Sequence, residues 1–98
     1  MSQKHKLEVL RAKTDRDLLI LMRRELERGL TLAGVATTKY SPLYAQAERA
    51  YENVKALLPL VFGLGREERR ELEFGLVELR VALDRLSSEQ ANRYLAVT

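Results

Sequence analysis

Two apolar stripes joined by a short glycine-rich turn constrain this chain more than anything else in it. Leu43, Ala47, Ala50, Val54, Leu57 and Val61 form one stripe, and Leu72, Leu76, Leu79, Leu83 and Leu86 form the other. Phe62-Gly63-Leu64-Gly65 lies between them. Spacings of three and four put each set on one side of a 3.6-residue helix, so each helix has a seam that must be covered. The turn is short enough to fold one helix back on the other as an antiparallel hairpin. A third set lies upstream: Leu18, Leu19, Met22, Leu26, Leu30 and Ala33, with Gly29 on the same face. Three such helices with short loops predict an all-α, antiparallel up-down-up three-helix bundle.

Local signals place the boundaries. Thr14-Asp15-Arg16-Asp17 reads as a helix start, with a capping threonine and acids suited to the positive end of the helix dipole. The first helix is expected over about 15–36, with residues 1–13 as an arm or a short helix. Ser41-Pro42 restarts helix, serine as cap and proline at the first position, where its missing N–H costs nothing. The second helix is expected over about 42–62, with a bend or break at Leu58-Pro59 because proline cannot donate there. The third is expected over about 66–86. Ser87-Ser88-Glu89-Gln90 carries a capping box that predicts a separate short helix over about 89–96. Gly29 and Ala33, four apart, suggest a close approach by a neighbouring helix; glycine in mid-helix otherwise costs roughly 0.5–1 kcal/mol relative to alanine.

Ninety-eight residues fit a single domain with a modest core. The chain has no cysteine, which removes disulfides, thiolate nucleophiles and cysteine-rich zinc sites and fits a reducing cytosol. The longest uninterrupted apolar run, Leu18 to Met22, is five residues, against the ~20 of a membrane span. The basic start Met1-Ser2-Gln3-Lys4-His5-Lys6 is not followed by an apolar core or a cleavage site, so no signal peptide is expected. A cytoplasmic protein without a membrane segment is the expectation. Net charge is +3, and the excess is local: residues 1–39 hold nine Lys/Arg against five Asp/Glu. That surplus is too small for a nucleic-acid stripe. A nucleic-acid-associated or regulatory accessory protein using the basic N-terminal third is nonetheless the alternative reading.

Catalytic groups are scarce. The single histidine, His5, lies between two lysines in the expected arm. Thr14, Ser41, Ser87 and Ser88 fall at expected caps or loops. Glu67, Glu68, Glu71, Glu73 and Glu78 are interleaved with Arg66, Arg69 and Arg70, with Arg69 and Glu73 as an i, i+4 pair; this reads as a solvated charged face. A di-metal bundle needs Glu-x-x-His, which is absent, so no metal, cofactor or enzymatic activity is expected. Tyr40, Tyr44 and Tyr51 could line a small-molecule cleft along one edge of the second helix, although such rows usually pack at a boundary with their hydroxyls in water. Phe74, Val77 and Val81 fall opposite the leucine stripe of the third helix. A helix apolar on two sides is sandwiched or half of a subunit contact, which predicts a homodimer with Arg70 and Asp84 flanking the patch. A fold-back of the N-terminal arm through Leu7 and Leu10 onto the same surface is the competing expectation. The leading function is a non-catalytic protein-interaction or oligomerisation module, with a small-molecule-binding bundle third.

The tail Leu86-Ser87-Ser88-Glu89-Gln90-Ala91-Asn92-Arg93-Tyr94-Leu95-Ala96-Val97-Thr98 resembles the first helix and following turn of excisionase-type helix-turn-helix modules. There, Leu-Ser/Thr-x-x-Glu/Gln-Ala precedes a Tyr-Leu-x-Val-Ser/Thr ending. The resemblance covers about thirteen residues and implies a helix, then a turn. The recognition helix that would enter the major groove lies beyond the matching residues.

Overall fold

The computed structural model describes the backbone of residues 3–97 and the side chains of residues 13–88. Within them the protein is all-helical. Helix α1 spans Gln3–Val35, α2 spans Pro42–Leu57, a single 3-10 turn covers Leu58–Leu60, and α3 spans Arg66–Val97.

The middle helix has the ends that its sequence dictates. The Ser41 side chain accepts from the Leu43 N–H at 3.1 Å, with Pro42 at the first helical position. At the other end Pro59 falls in the 3-10 turn, so α2 gives up α-helical bonding after Leu57. Leu58 still donates to the Val54 carbonyl, and the Val61 N–H closes the turn on Leu58 O at 3.4 Å. The break expected at Leu58-Pro59 is therefore present.

Both outer helices are longer than expected. No start occurs at Thr14, and residues 3–13 are the first turns of α1, not an arm. No break occurs at Ser87, and the segment expected to be a separate helix over 89–96 continues α3. Tyr94 to Val97, which the helix-turn-helix resemblance places at the entry to a turn, are still helical, and Thr98 lies outside the described residues. The physical reason is the same at both ends. A capping residue marks where a helix can begin, but a helix already formed continues cheaply through residues such as Ala, Leu, Lys, Glu and Arg. Neither segment contains glycine or proline to stop it.

A single hydrophobic core holds all the elements. It comprises Leu19, Met22, Leu26 and Ala33 of α1, Ala47 and Val54 of α2, Leu58 and Val61 of the turn, and Leu72, Leu79 and Leu83 of α3. Every residue of the three stripes is buried or half-buried, and no buried polar or charged residue occurs among the described residues. Gly29 sits where the three helices meet: a Cβ there would lie 2.7 Å from Leu79 Cδ2 and 3.2 Å from Ala50 Cβ. The close approach expected at this glycine is realised. Gly75, on α3, plays a matching part towards Leu26, whose Cδ1 would lie 2.8 Å from an added Cβ.

Contacts advance together along α1 and α3. Asp15 closes on Gly63, Arg23 on Glu71, Leu26 on Gly75 and Gly29 on Leu79. Along α2 and α3 they run in opposite senses, with Tyr51 against Arg80 and the Val61 carbonyl against Arg69. This register offsets α1 from α3 by about 48–50 positions. The first turns of α1 thus extend past one end of α3, and the last turns of α3 past the other end of α1. At 1.5 Å per residue each outer helix is about 50 Å long, and the stagger of about 15 residues between them adds about 20 Å, which together give the 71 Å long axis of a molecule only 23 × 16 Å across.

Candidate interaction surface

The outer face of α3 is built by the same periodicity that builds its core face. Placing Leu72, Leu79 and Leu83 inward rotates positions 74, 77 and 81 to the opposite side of the helix. Phe74, Val77 and Val81 are 66%, 61% and 51% exposed. The N-terminal segment does not cover them, because residues 3–13 run on as α1 rather than folding back; the side chains of Leu7 and Leu10 lie outside the described residues. Arg70 and Asp84 flank the patch and are exposed. Asp84 accepts from Arg80 at 2.9–3.0 Å.

Phe74 also borders a groove of ≈ 360 Å³ between α1 and α3. Leu26, Leu30, Leu72 and Gly75 floor it, and Arg23, Glu27, Glu71 and Glu78 line its edges. The Arg23–Glu71 ion pair, 3.0 Å long and well exposed, ties the two helices together at one end. That hydrogen bond to Glu71 raises the Arg23 guanidinium above its ordinary value.

The three tyrosines have different surroundings. Tyr40 is an exposed loop residue beneath the Lys39 ammonium, 5.3 Å from its ring centre. Tyr44 and Tyr51 are half-buried and pack against the core. The Tyr51 ring carries Arg80 at 5.1 Å and Lys55 at 5.7 Å. A shallow depression of ≈ 440 Å³ includes Tyr44 with Lys39, Ala45, Glu48, Arg49 and Glu52, but neither Tyr40 nor Tyr51. At Arg80 burial is the largest single influence and lowers the pKa, but the hydrogen bond to Asp84, the Asp84 charge and the neighbouring Tyr44 and Tyr51 together outweigh it, and the net shift is upward.

The carboxylates expected to form a charged face divide between structural tasks. Glu68 accepts from the Gly65 N–H at 3.0 Å, a side chain reaching back to cap the start of α3. Glu71 takes Arg23. Arg69 donates to the Val61 carbonyl at 2.8 Å, in place of the expected pairing with Glu73. No group of three or more His, Asp or Glu side chains among the described residues is arranged to hold a metal ion. No helix among them is long and apolar enough to cross a membrane. The side chain of His5 and those of the basic residues up to Arg11 lie outside the described residues.

Gly75, the groove it floors and the capping role of Glu68 were not anticipated. A signal for Gly75 existed: a glycine inside a helical run, the same mark that singled out Gly29. The groove depends on the register between α1 and α3, which no single helix pattern encodes. No family model matches the chain, and neither does any curated protein or solved structure.

Proposed function

We propose that this protein is a non-catalytic protein-interaction module, an up-down-up three-helix bundle of the cytoplasm that works through the outer face of α3. The observation that carries this reading is the row Phe74, Val77 and Val81, more than half exposed on a helix whose other face is fully used by the core. Together these side chains expose on the order of 300 Å², about the size of the largest apolar patch on an ordinary monomer, which is often functional. Three exposed apolar residues at i, i+3 and i+7 present the anchors by which one helix recognises another. Arg70 and Asp84 supply a polar rim of both signs, as interfaces do.

The test is Val77→Glu. The position is exposed, so the helix content and unfolding midpoint of the isolated chain should change little. The size of the complex that the protein forms in its native cell extract, read on a native gel, should fall. A folded variant whose complexes keep their full size would remove this face from the function.

A further inference from the structure

We infer that the occupant of this face is a second copy of the same chain, its α3 antiparallel to the first across a two-fold axis at Val77. The inference rests on the interaction reading and names the partner.

Charge placement fixes the orientation. Arg70 precedes Val77 by seven residues and Asp84 follows it by seven, two helical turns in each direction on one face. A two-fold axis at Val77 therefore brings each Arg70 to the partner's Asp84, twice per dimer. A parallel pairing in register would instead set Arg70 against Arg70 and Asp84 against Asp84, which is repulsive. Arg80 holds only Oδ1 of Asp84, and the carboxylate is 64% exposed, so it can take a second donor. The same axis sets Val77 against its own copy and Phe74 beside the partner's Val81, closing the apolar row on itself. Such a contact is isologous and stops at two subunits.

The area makes this a small contact. The apolar row alone would bury roughly 600 Å² over both copies, about half of the ~1,200 Å² at which specific interfaces begin. The flanking polar residues supply part of the remainder, and the helix length supplies more. Because α3 continues to Val97, an antiparallel partner runs past Arg66 at the end of the molecule where Leu60 and Phe62 are 64% and 73% exposed. A contact at the low end of the size range belongs with weak, transient associations, and the dissociation constant to test is on the order of micromolar.

The cysteine-free chain allows a direct test by single introduced cysteines. Val77→Cys should form an intermolecular disulfide on mild oxidation, since residues at the axis come within bonding range. Arg70→Cys and Asp84→Cys should stay monomeric when oxidised separately and should cross-link to each other when mixed. Sedimentation of the wild type should show concentration-dependent dimerisation, which Val77→Glu weakens by about 100-fold or more. Self-linkage of Arg70→Cys and of Asp84→Cys would overturn the antiparallel arrangement. A wild type that is monomeric up to about a hundred times the expected micromolar dissociation constant would overturn the second copy as occupant. In that case a native complex still sensitive to Val77→Glu would leave the interaction reading standing, and an insensitive one would remove both.

Discussion

Replacing Gly29 with alanine tests whether the three helices meet where the structure places them. The added methyl would lie 2.7 Å from Leu79 Cδ2 and 3.2 Å from Ala50 Cβ. Leu79 is fully buried, so its end has no solvent to swing into, and the Ala50 methyl is fixed to the backbone of α2. Forcing a methylene into such a site costs about 1–3 kcal/mol. Removing a glycine from mid-helix returns about 0.5–1 kcal/mol. The net expectation is a loss of about 1 kcal/mol, or a fall in Tm of about 4–8 °C for a domain of this size. Gly34, one turn further along the same helix, has nothing within 4 Å of an added Cβ. Gly34→Ala should therefore give only the propensity gain, up to about 0.5–1 kcal/mol in the opposite direction. Urea unfolding followed by circular dichroism, with all variants at one protein concentration, measures both. In the double variant Gly29→Ala/Leu79→Ala, the new methyl occupies space that Leu79 vacates, so the combined loss should be smaller than the sum of the single losses. If Gly29→Ala stabilises as much as Gly34→Ala, the helices do not meet at Gly29 and the packing argument fails.

Leu79→Ala alone, at a fully buried position, should cost about 2–5 kcal/mol; a loss below roughly 1 kcal/mol would mean that α3 presents a different face to the core. Ser41→Ala removes the cap of α2 and should cost about 0.5–2 kcal/mol in urea unfolding, whereas no loss would mean that solvent satisfies the Leu43 N–H equally well. Pro59→Ala should lower stability by about 0.4–1 kcal/mol, through a freer unfolded chain rather than through lost contacts; a gain would show that proline strains the end of α2. A double-mutant cycle on Arg23 and Glu71 should return only a small coupling that shrinks with salt, because both side chains are exposed. A larger, salt-independent coupling would contradict that exposure.

The parts of the fold legible in the sequence are those set by strong local constraints. Ser41-Pro42 and Pro59 delimit α2 because proline removes a donor, and no packing arrangement restores it. The three stripes are legible because burying a leucine contributes more than any propensity opposes. The outer ends of α1 and α3 were not legible, since Thr14 and Ser87 offer caps worth only about 1 kcal/mol. A cap of that size does not interrupt a helix whose neighbours on both sides already favour continuation. Capping signals thus located the start of α2, which follows a real loop, and misplaced two boundaries where no loop exists.

The candidate surface divides along the same line. Phe74, Val77 and Val81 could be assigned to one exposed face because a single helix wheel contains all the information needed. The groove beside Phe74 and the Arg23–Glu71 bridge depend on which turn of α1 lies beside which turn of α3, and residues 48 apart carry no spacing that reveals it. Arg69 shows how the outcome is decided. An i, i+4 pair with Glu73 on an exposed helix face contributes at most about 0.5 kcal/mol. The Val61 carbonyl, on a buried residue just past the 3-10 turn, would cost about 1–3 kcal/mol if left without a donor. An orphaned carbonyl costs more than a forgone surface ion pair, so the guanidinium turns back over the α2–α3 turn to that carbonyl. Local spacing supplied the weaker of the two partners because the stronger one exists only once Pro59 has ended α2 and left an acceptor to be satisfied.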